Sequence, residues 1–124
     1  VRDIVESMAD DDRRGLFASI GRLAGQLHGA GIVHGDLTTS NIIRTRDGIV
    51  FIDFGLSEVS VETEKRGVDL NLMRRMLTST HFRHAEELFC AFKEGYRRAL
   101  GGEADEALER MEEIVRRGRY IERE

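Results

Sequence analysis

The sequence predicts a mainly α fold with one small β-hairpin. Apolar residues recur at helical spacing in several long segments, and the 124 residues contain no proline to interrupt them. The clearest run of strand-forming residues flanks an Arg46-Asp47-Gly48 turn. A chain of this length encloses one core and no second one. Its 40% hydrophobic and 34% charged residues suit a helix-rich globular unit rather than a disordered one. A net charge of −4 argues against a chain that generally coats nucleic acid, while leaving room for a local basic patch.

Residues 1–8 place Ile4, Val5 and Met8 on one helical face. Asp10, Asp11 and Asp12 then offer an N-cap and first-turn acids for a second helix, where the helix dipole favours negative charge. That helix carries Leu16, Ile20, Leu23 and Leu27, widened by Phe17 and Ala24, and Gly29 and Gly31 end it. Ile32-Val33 reads as a short strand. The hairpin follows as 41–44 and 49–52, with Asn41 opening one strand and Asp53 just beyond the other. A polar loop reaches to about Glu64. A helix over 65–78 then turns Val68, Leu72, Met73, Met76 and Leu77 inward. The most regular helix, 84–100, aligns Ala85, Leu88, Phe89, Phe92, Tyr96 and Leu100. A last helix, 103–117, buries Leu108, Met111, Ile114 and Val115, and Gly118 is expected to close it. Cys90 is the only cysteine, so neither an intrachain disulfide nor a cysteine zinc site is possible. Its neighbours Leu88, Phe89, Ala91 and Phe92 predict a buried thiol. No apolar run approaches membrane-spanning length, and a cytoplasmic setting is the default expectation.

Chemistry concentrates in His34-Gly35-Asp36-Leu37-Thr38-Thr39-Ser40-Asn41 and in Asp53-Phe54-Gly55. An acid stands five residues before an amide, and a second acid twelve residues after it. In phosphoryl transfer the first acid orients or deprotonates the attacking hydroxyl, while the amide and second acid hold the metals that bridge the nucleotide phosphates. Either tripeptide alone is weak; the order and spacing together are strong. Asp36 is thus the candidate catalytic acid, and Asn41 and Asp53 the candidate ligands for Mg2+, which suits oxygen donors. ATP and Mg2+ are the cofactors expected. His34 is expected to brace the loop by hydrogen bonding, Phe54 to pack under the hairpin, and Gly55 to permit a sharp backbone exit.

The same chemistry elsewhere requires a glycine-rich loop and a strand lysine ahead of the catalytic loop. The residues before His34 hold no G-x-G-x-x-G and no lysine. The chain therefore reads as the C-terminal lobe of a protein-kinase-like fold, with the N-terminal lobe absent and residues 1–124 forming the one domain. Thr38 stands where kinases often carry a lysine, and Gly35 where they carry the arginine that pairs with a phosphorylated activation loop. Only 13 residues separate Gly55 from Asp69, and no A-P-E follows. Control by loop phosphorylation is not expected, and a long peptide-docking segment has no room.

These residues, with Val68-Asp69-Leu70, Ser79-Thr80-His81 and the terminal Arg116-Arg117-Gly118-Arg119, resemble the kinase subunit of the KEOPS (EKC) complex over essentially the whole chain. H-G-D-L with D-F-G is shared with RIO kinases and aminoglycoside phosphotransferases; the T-T-S-N continuation, S-T-H and arginine-rich tail are more selective. The resemblance implies an atypical serine/threonine kinase working chiefly as an ATPase. Its complex attaches threonylcarbamoyl to adenosine in tRNA, with the KEOPS catalytic subunit and a small adaptor subunit as partners and no membrane involved. It also implies that Asp69 and Thr38 support the catalytic loop. Phe82 replaces the family's usual proline, and the tail tip is less basic than usual. Arg116, Arg117, Arg119 and Arg123 fit either a solvated helix end or a tRNA or partner contact. Two further readings stand beside this one. A small-molecule phosphotransferase would need an acidic pocket that the distal helices do not display, and a docking module would leave the catalytic residues idle.

Overall fold

In the computed structural model the backbone is described for residues 1 and 3–123, and side chains to residue 118, Arg2 excepted. Four helices form the body: α1 (Asp10–Gly29), α2 (Thr63–Thr80), α3 (Ala85–Leu100) and α4 (Gly102–Arg123). Two antiparallel pairs lie between α1 and α2 in sequence. Strand β2 (Ile42–Thr45) pairs with β3 (Gly48–Phe51) as the expected hairpin, with Ile42 opposite Phe51. Strand β1 (Ile32–Val33) pairs with β4 (Glu58–Val59). The fold is mainly α with a small β-hairpin, as a kinase C-terminal lobe would be. The segment after Gly55 is not wholly loop, because β1 needs a partner for its backbone groups and β4 supplies one.

Helix α1 packs along α3, and α2 along α4. The first crossing is unusually close. A Cβ on Gly21 would lie 1.9 Å from the Phe92 carbonyl oxygen, and one on Gly95 would lie 1.9 Å from that of Ala18. Two backbones therefore touch where each glycine meets the main chain of the other helix, and Phe17, Ile20, Phe92 and Tyr96, all with no exposed surface, fill the sides. On α4 the buried residues include Ala104 and Ala107 beside Leu108, Met111 and Val115.

Several local expectations are corrected. Among the described residues of 1–8 the one helical piece is a short 3-10 turn, Val5–Ser7, since so few residues cannot sustain a helix without a stronger nucleus. Ala9, not an aspartate, is the N-cap of α1, and Asp10, Asp11 and Asp12 all lie in its first turn. Helix α2 is rotated from the expected stripe: it buries Arg66, Asp69, Leu70, Met73 and Leu77, and Val68 is exposed. Two charged residues with tertiary partners claim that face. Cys90 is exposed. It stands about 160° around α3 from the buried face at 100° per residue, so the helical period overrides its apolar neighbours. Gly118 does not end α4, which continues to Arg123.

Candidate active site

The hairpin register sets the site. The Ile52 amide donates to the Asn41 carbonyl at 2.8 Å, so the ladder continues one step past Ile42 and Phe51. Asn41 and Asp53 thereby emerge at the same end of the hairpin. Asn41 closes a 3-10 turn, Thr39–Asn41. Its Nδ2 donates to both the Asp36 carbonyl and Asp36 Oδ2, each at 2.9 Å. Two acceptors fix the amide orientation, leaving Asn41 Oδ1 as an available oxygen donor. Asp53 is exposed, and its carboxylate makes no hydrogen bond or ion pair among the described residues. Its φ is 59°, a left-handed conformation tolerated by aspartate but uncommon for any residue with a side chain. The sharp exit expected at Gly55 is therefore made at Asp53. A Cβ on Gly55 would meet only Asp53 Oδ1, at an ordinary 3.5 Å.

His34 is fully buried and held by backbone on both sides. Its Nδ1 accepts from the Asp36 amide at 3.1 Å, and its Nε2 donates to the Ile52 carbonyl at 2.9 Å. Those partners define the neutral Nε2-protonated tautomer. The imidazole thus ties the backbone of Asp36, the candidate catalytic acid, to the strand that leads to Asp53. Phe54 is 41% exposed rather than packed under the hairpin. It leans on the His34 ring, with centroids 4.6 Å apart, and borders an apolar cavity of about 380 Å³ with Leu23, Leu27, Val50 and Phe51. Thr38 is half-buried, and its carbonyl accepts from the Asn41 amide at 3.0 Å.

Beneath the loop lies a polar network that spacing could not reveal. Asp69, on α2, is almost fully buried. Its Oδ1 accepts from the Gly35 amide at 2.8 Å, and its Oδ2 from the His34 amide at 2.7 Å and from His28 Nε2 at 2.8 Å. The other His28 nitrogen, Nδ1, accepts from the Tyr96 hydroxyl at 2.7 Å. Three helices thus converge on the backbone of residues 34 and 35. Burial pushes the Tyr96 phenol well above its ordinary pKa, so it stays a donor. Buried Arg66 donates to the His28 carbonyl at 2.8 Å, closing the C-terminal end of α1 with a cation.

Gly35 acquires a steric role. Its φ is +89°, and a Cβ there would lie 2.2 Å from the Leu56 carbonyl oxygen. No arginine fits, because the segment after Gly55 folds directly over this position. Of the tail arginines, Arg116 is exposed, and Arg117 donates to both oxygens of Glu64 at 2.6 and 2.9 Å. The side chains of Arg119 and Arg123 lie outside the described residues. A second cluster with ligand-like spacing, Asp10, His84 and Glu87, is bridged by cations. Arg13 bonds Asp10 and His84, and Arg14 bonds Glu87.

Residues 1–96 match the model of the lipopolysaccharide kinase (Kdo/WaaP) family. The chain belongs to this family. It is 42% identical over 124 residues to the KEOPS complex subunit Bud32 of Pyrococcus abyssi, covering 99% of this chain and 56% of that protein. It is 42% identical over 118 residues to a probable serine/threonine-protein kinase BUD32 homolog of Archaeoglobus fulgidus, covering 95% and 59%. It is 53% identical over 102 residues to a probable bifunctional tRNA threonylcarbamoyladenosine biosynthesis protein of Methanoculleus marisnigri, covering 82% and 19%. The resemblance to KEOPS kinase subunits expected from the motifs is present across the chain. The chain spans little more than half of the first two relatives and about a fifth of the bifunctional one. Among the described residues, no helix is long and apolar enough to cross a membrane.

Proposed function

We propose that this chain is the C-terminal lobe of a cytoplasmic, atypical serine/threonine kinase and ATPase. Its phosphoryl chemistry supports threonylcarbamoyl-adenosine formation in tRNA, within a KEOPS-type complex of a catalytic subunit and a small adaptor. The names of its relatives support the biological setting. The observation that carries the chemistry is the bond from Asn41 Nδ2 to Asp36 Oδ2. One contact orients the acid and turns an oxygen of the amide outward.

Asn41 Oδ1 and the Asp53 carboxylate form an all-oxygen donor set that fits Mg2+. Held by these two residues, Mg2+ would supply positive charge against the phosphates of ATP. Asp36 Oδ2 accepts from Asn41, so Oδ1 remains to orient the attacking hydroxyl and accept its proton. His34 holds the Asp36 amide, and Asp69 holds the amides of His34 and Gly35, so the acid starts from a fixed backbone. Thr38 can hydrogen-bond a phosphate but cannot neutralise it, which suits a slow kinase or an ATPase.

The test is ATP turnover by a full-length kinase bearing this lobe. Asp36→Ala and Asp53→Ala should each remove most activity, with about 10²–10⁴-fold loss for the proton-handling acid. Asn41→Ala should be milder, since Asp53 remains as the charged ligand. Near-normal turnover in Asp36→Ala would remove the catalytic assignment.

A further inference from the structure

Outside the network under Asp69, a second buried histidine touches the catalytic loop. His81, just beyond α2, is 2% exposed. Its Nδ1 lies 3.1 Å from Glu6 Oε1, and its Nε2 lies 3.3 Å from Thr39 Oγ1. A carboxylate can only accept, so Nδ1 carries a proton. In the neutral ring Nε2 is then an acceptor, and the Thr39 hydroxyl donates to it. Met76 Sδ, 3.1 Å from the same oxygen, is the weaker competing acceptor.

Carboxylate, imidazole and hydroxyl in this order are the parts of a nucleophilic triad. Thr39 has no exposed surface, however, so its oxygen cannot reach a substrate. What the relay can do is hold the turn Thr39–Asn41 from below. Glu6 is itself held in place. The N-terminal turn that carries it is clamped by buried Arg13, which donates to the Val5 carbonyl at 3.0 Å, to the Met8 carbonyl and to Asp10. Arg13 also donates to His84 Nδ1 at 3.0 Å, which leaves the His84 Nε2 proton for Glu6 Oε2 at 3.5 Å. The hydrogen bond from His81 holds the Glu6 carboxyl below the usual carboxylate range.

We propose that His81, oriented by Glu6, is a positioning residue for the turn that carries Asn41. The position of the N-terminal turn is thereby linked to the geometry of the candidate metal ligand. Loss of the Glu6 carboxylate frees His81 to protonate Nε2 instead. The His81–Thr39 hydrogen bond then reverses, the hydroxyl proton is left to Met76 Sδ, the weaker acceptor, and the ring, no longer anchored by Glu6, holds the turn less firmly. Only the effect on metal rests on the role proposed for Asn41.

The experiment is nitrogen-15 NMR on this chain. The wild type should show His81 protonated at Nδ1, with Nε2 bare. Glu6→Ala should move the ring toward the Nε2-protonated tautomer and speed exchange of the Asn41 amide about tenfold, one hydrogen bond's worth. Glu6→Gln keeps an oxygen acceptor and should change both less. An unaltered tautomer and unaltered Asn41 exchange in Glu6→Ala would overturn the proposal, as would a wild-type His81 protonated at Nε2 alone. Mn2+ supplies an independent arm. It should broaden the Asn41 and Asp53 amides in the wild type, with Glu6→Ala reducing broadening at Asn41 and sparing Asp53. Absence of broadening at both in the wild type would reject the metal reading, and the tautomer result would still decide the role of His81.

Discussion

Gly35 and Tyr96 illustrate what single positions contribute that a motif does not state. Gly35→Ala forces a side chain into a left-handed conformation, at roughly 1–2 kcal/mol, and into the Leu56 carbonyl, at roughly 1–3 kcal/mol for overpacking. Urea unfolding should therefore show a loss of about 2–5 kcal/mol. Tyr96→Phe leaves His28 Nδ1 buried without a donor and should cost about 1–3 kcal/mol at neutral pH. Above the ordinary tyrosine pKa of 10.0, the unfolded chain releases the phenolic proton while the folded chain keeps it. The wild type should then lose stability relative to Tyr96→Phe by up to about 1.4 kcal/mol per pH unit, and paired unfolding curves at rising pH should converge. The placing of Asn41 and Asp53 at one end of the hairpin was legible because it follows from local spacing. The contacts of His28, Tyr96 and His81 were not, because their partners lie far away in the chain. Cys90 was misjudged because a five-residue apolar window outweighed the phase of the helix.

At the scale of elements, the crossing of α1 and α3 is set by two glycines rather than by the large apolar residues the periodicity displays. Gly95→Ala should push α3 away from α1 and lower stability by about 1–3 kcal/mol or more, whereas Gly102→Ala, where a Cβ meets nothing within 4 Å, should change little. Thermal unfolding of the two variants makes the comparison. Helical segments, their order and the hairpin turn could be read directly. Strand β4 could not, since two residues carry no pattern and gain their structure from β1. The tail is continuous with α4, and its Arg117 is already engaged by Glu64. In an assembled complex, Arg116→Ala should reduce tRNA affinity more than Arg117→Ala. Deleting residues 116–124 should remove a component of binding that fades as salt rises, through counterion release. Unchanged affinity of the truncated complex across a salt titration would assign these arginines to a solvated helix end.

For the molecule as a whole, the fold class was legible because four amphipathic segments and one hairpin allow few arrangements of a single core. The pairing of α1 with α3 and α2 with α4 was less so, since it depends on small residues that leave no mark in an apolar stripe. The lobe presents Asn41 and Asp53 on one side only, with no lysine before His34 to approach from the other. The isolated chain should bind Mg-ATP weakly and turn it over negligibly, as calorimetry and phosphate release would show; turnover that Asp53→Ala abolishes would contradict this. The contact of Gly21 with Phe92 and of Gly95 with Ala18 has an evolutionary consequence. Each obstructing atom is a carbonyl oxygen, which every amino acid carries. No second-site replacement in the facing helix can make room, so neither glycine has a compensated route of substitution. Drift can reshape the surface of this lobe and exchange its apolar fillings, but these two positions should remain glycine for as long as the two helices cross where they do.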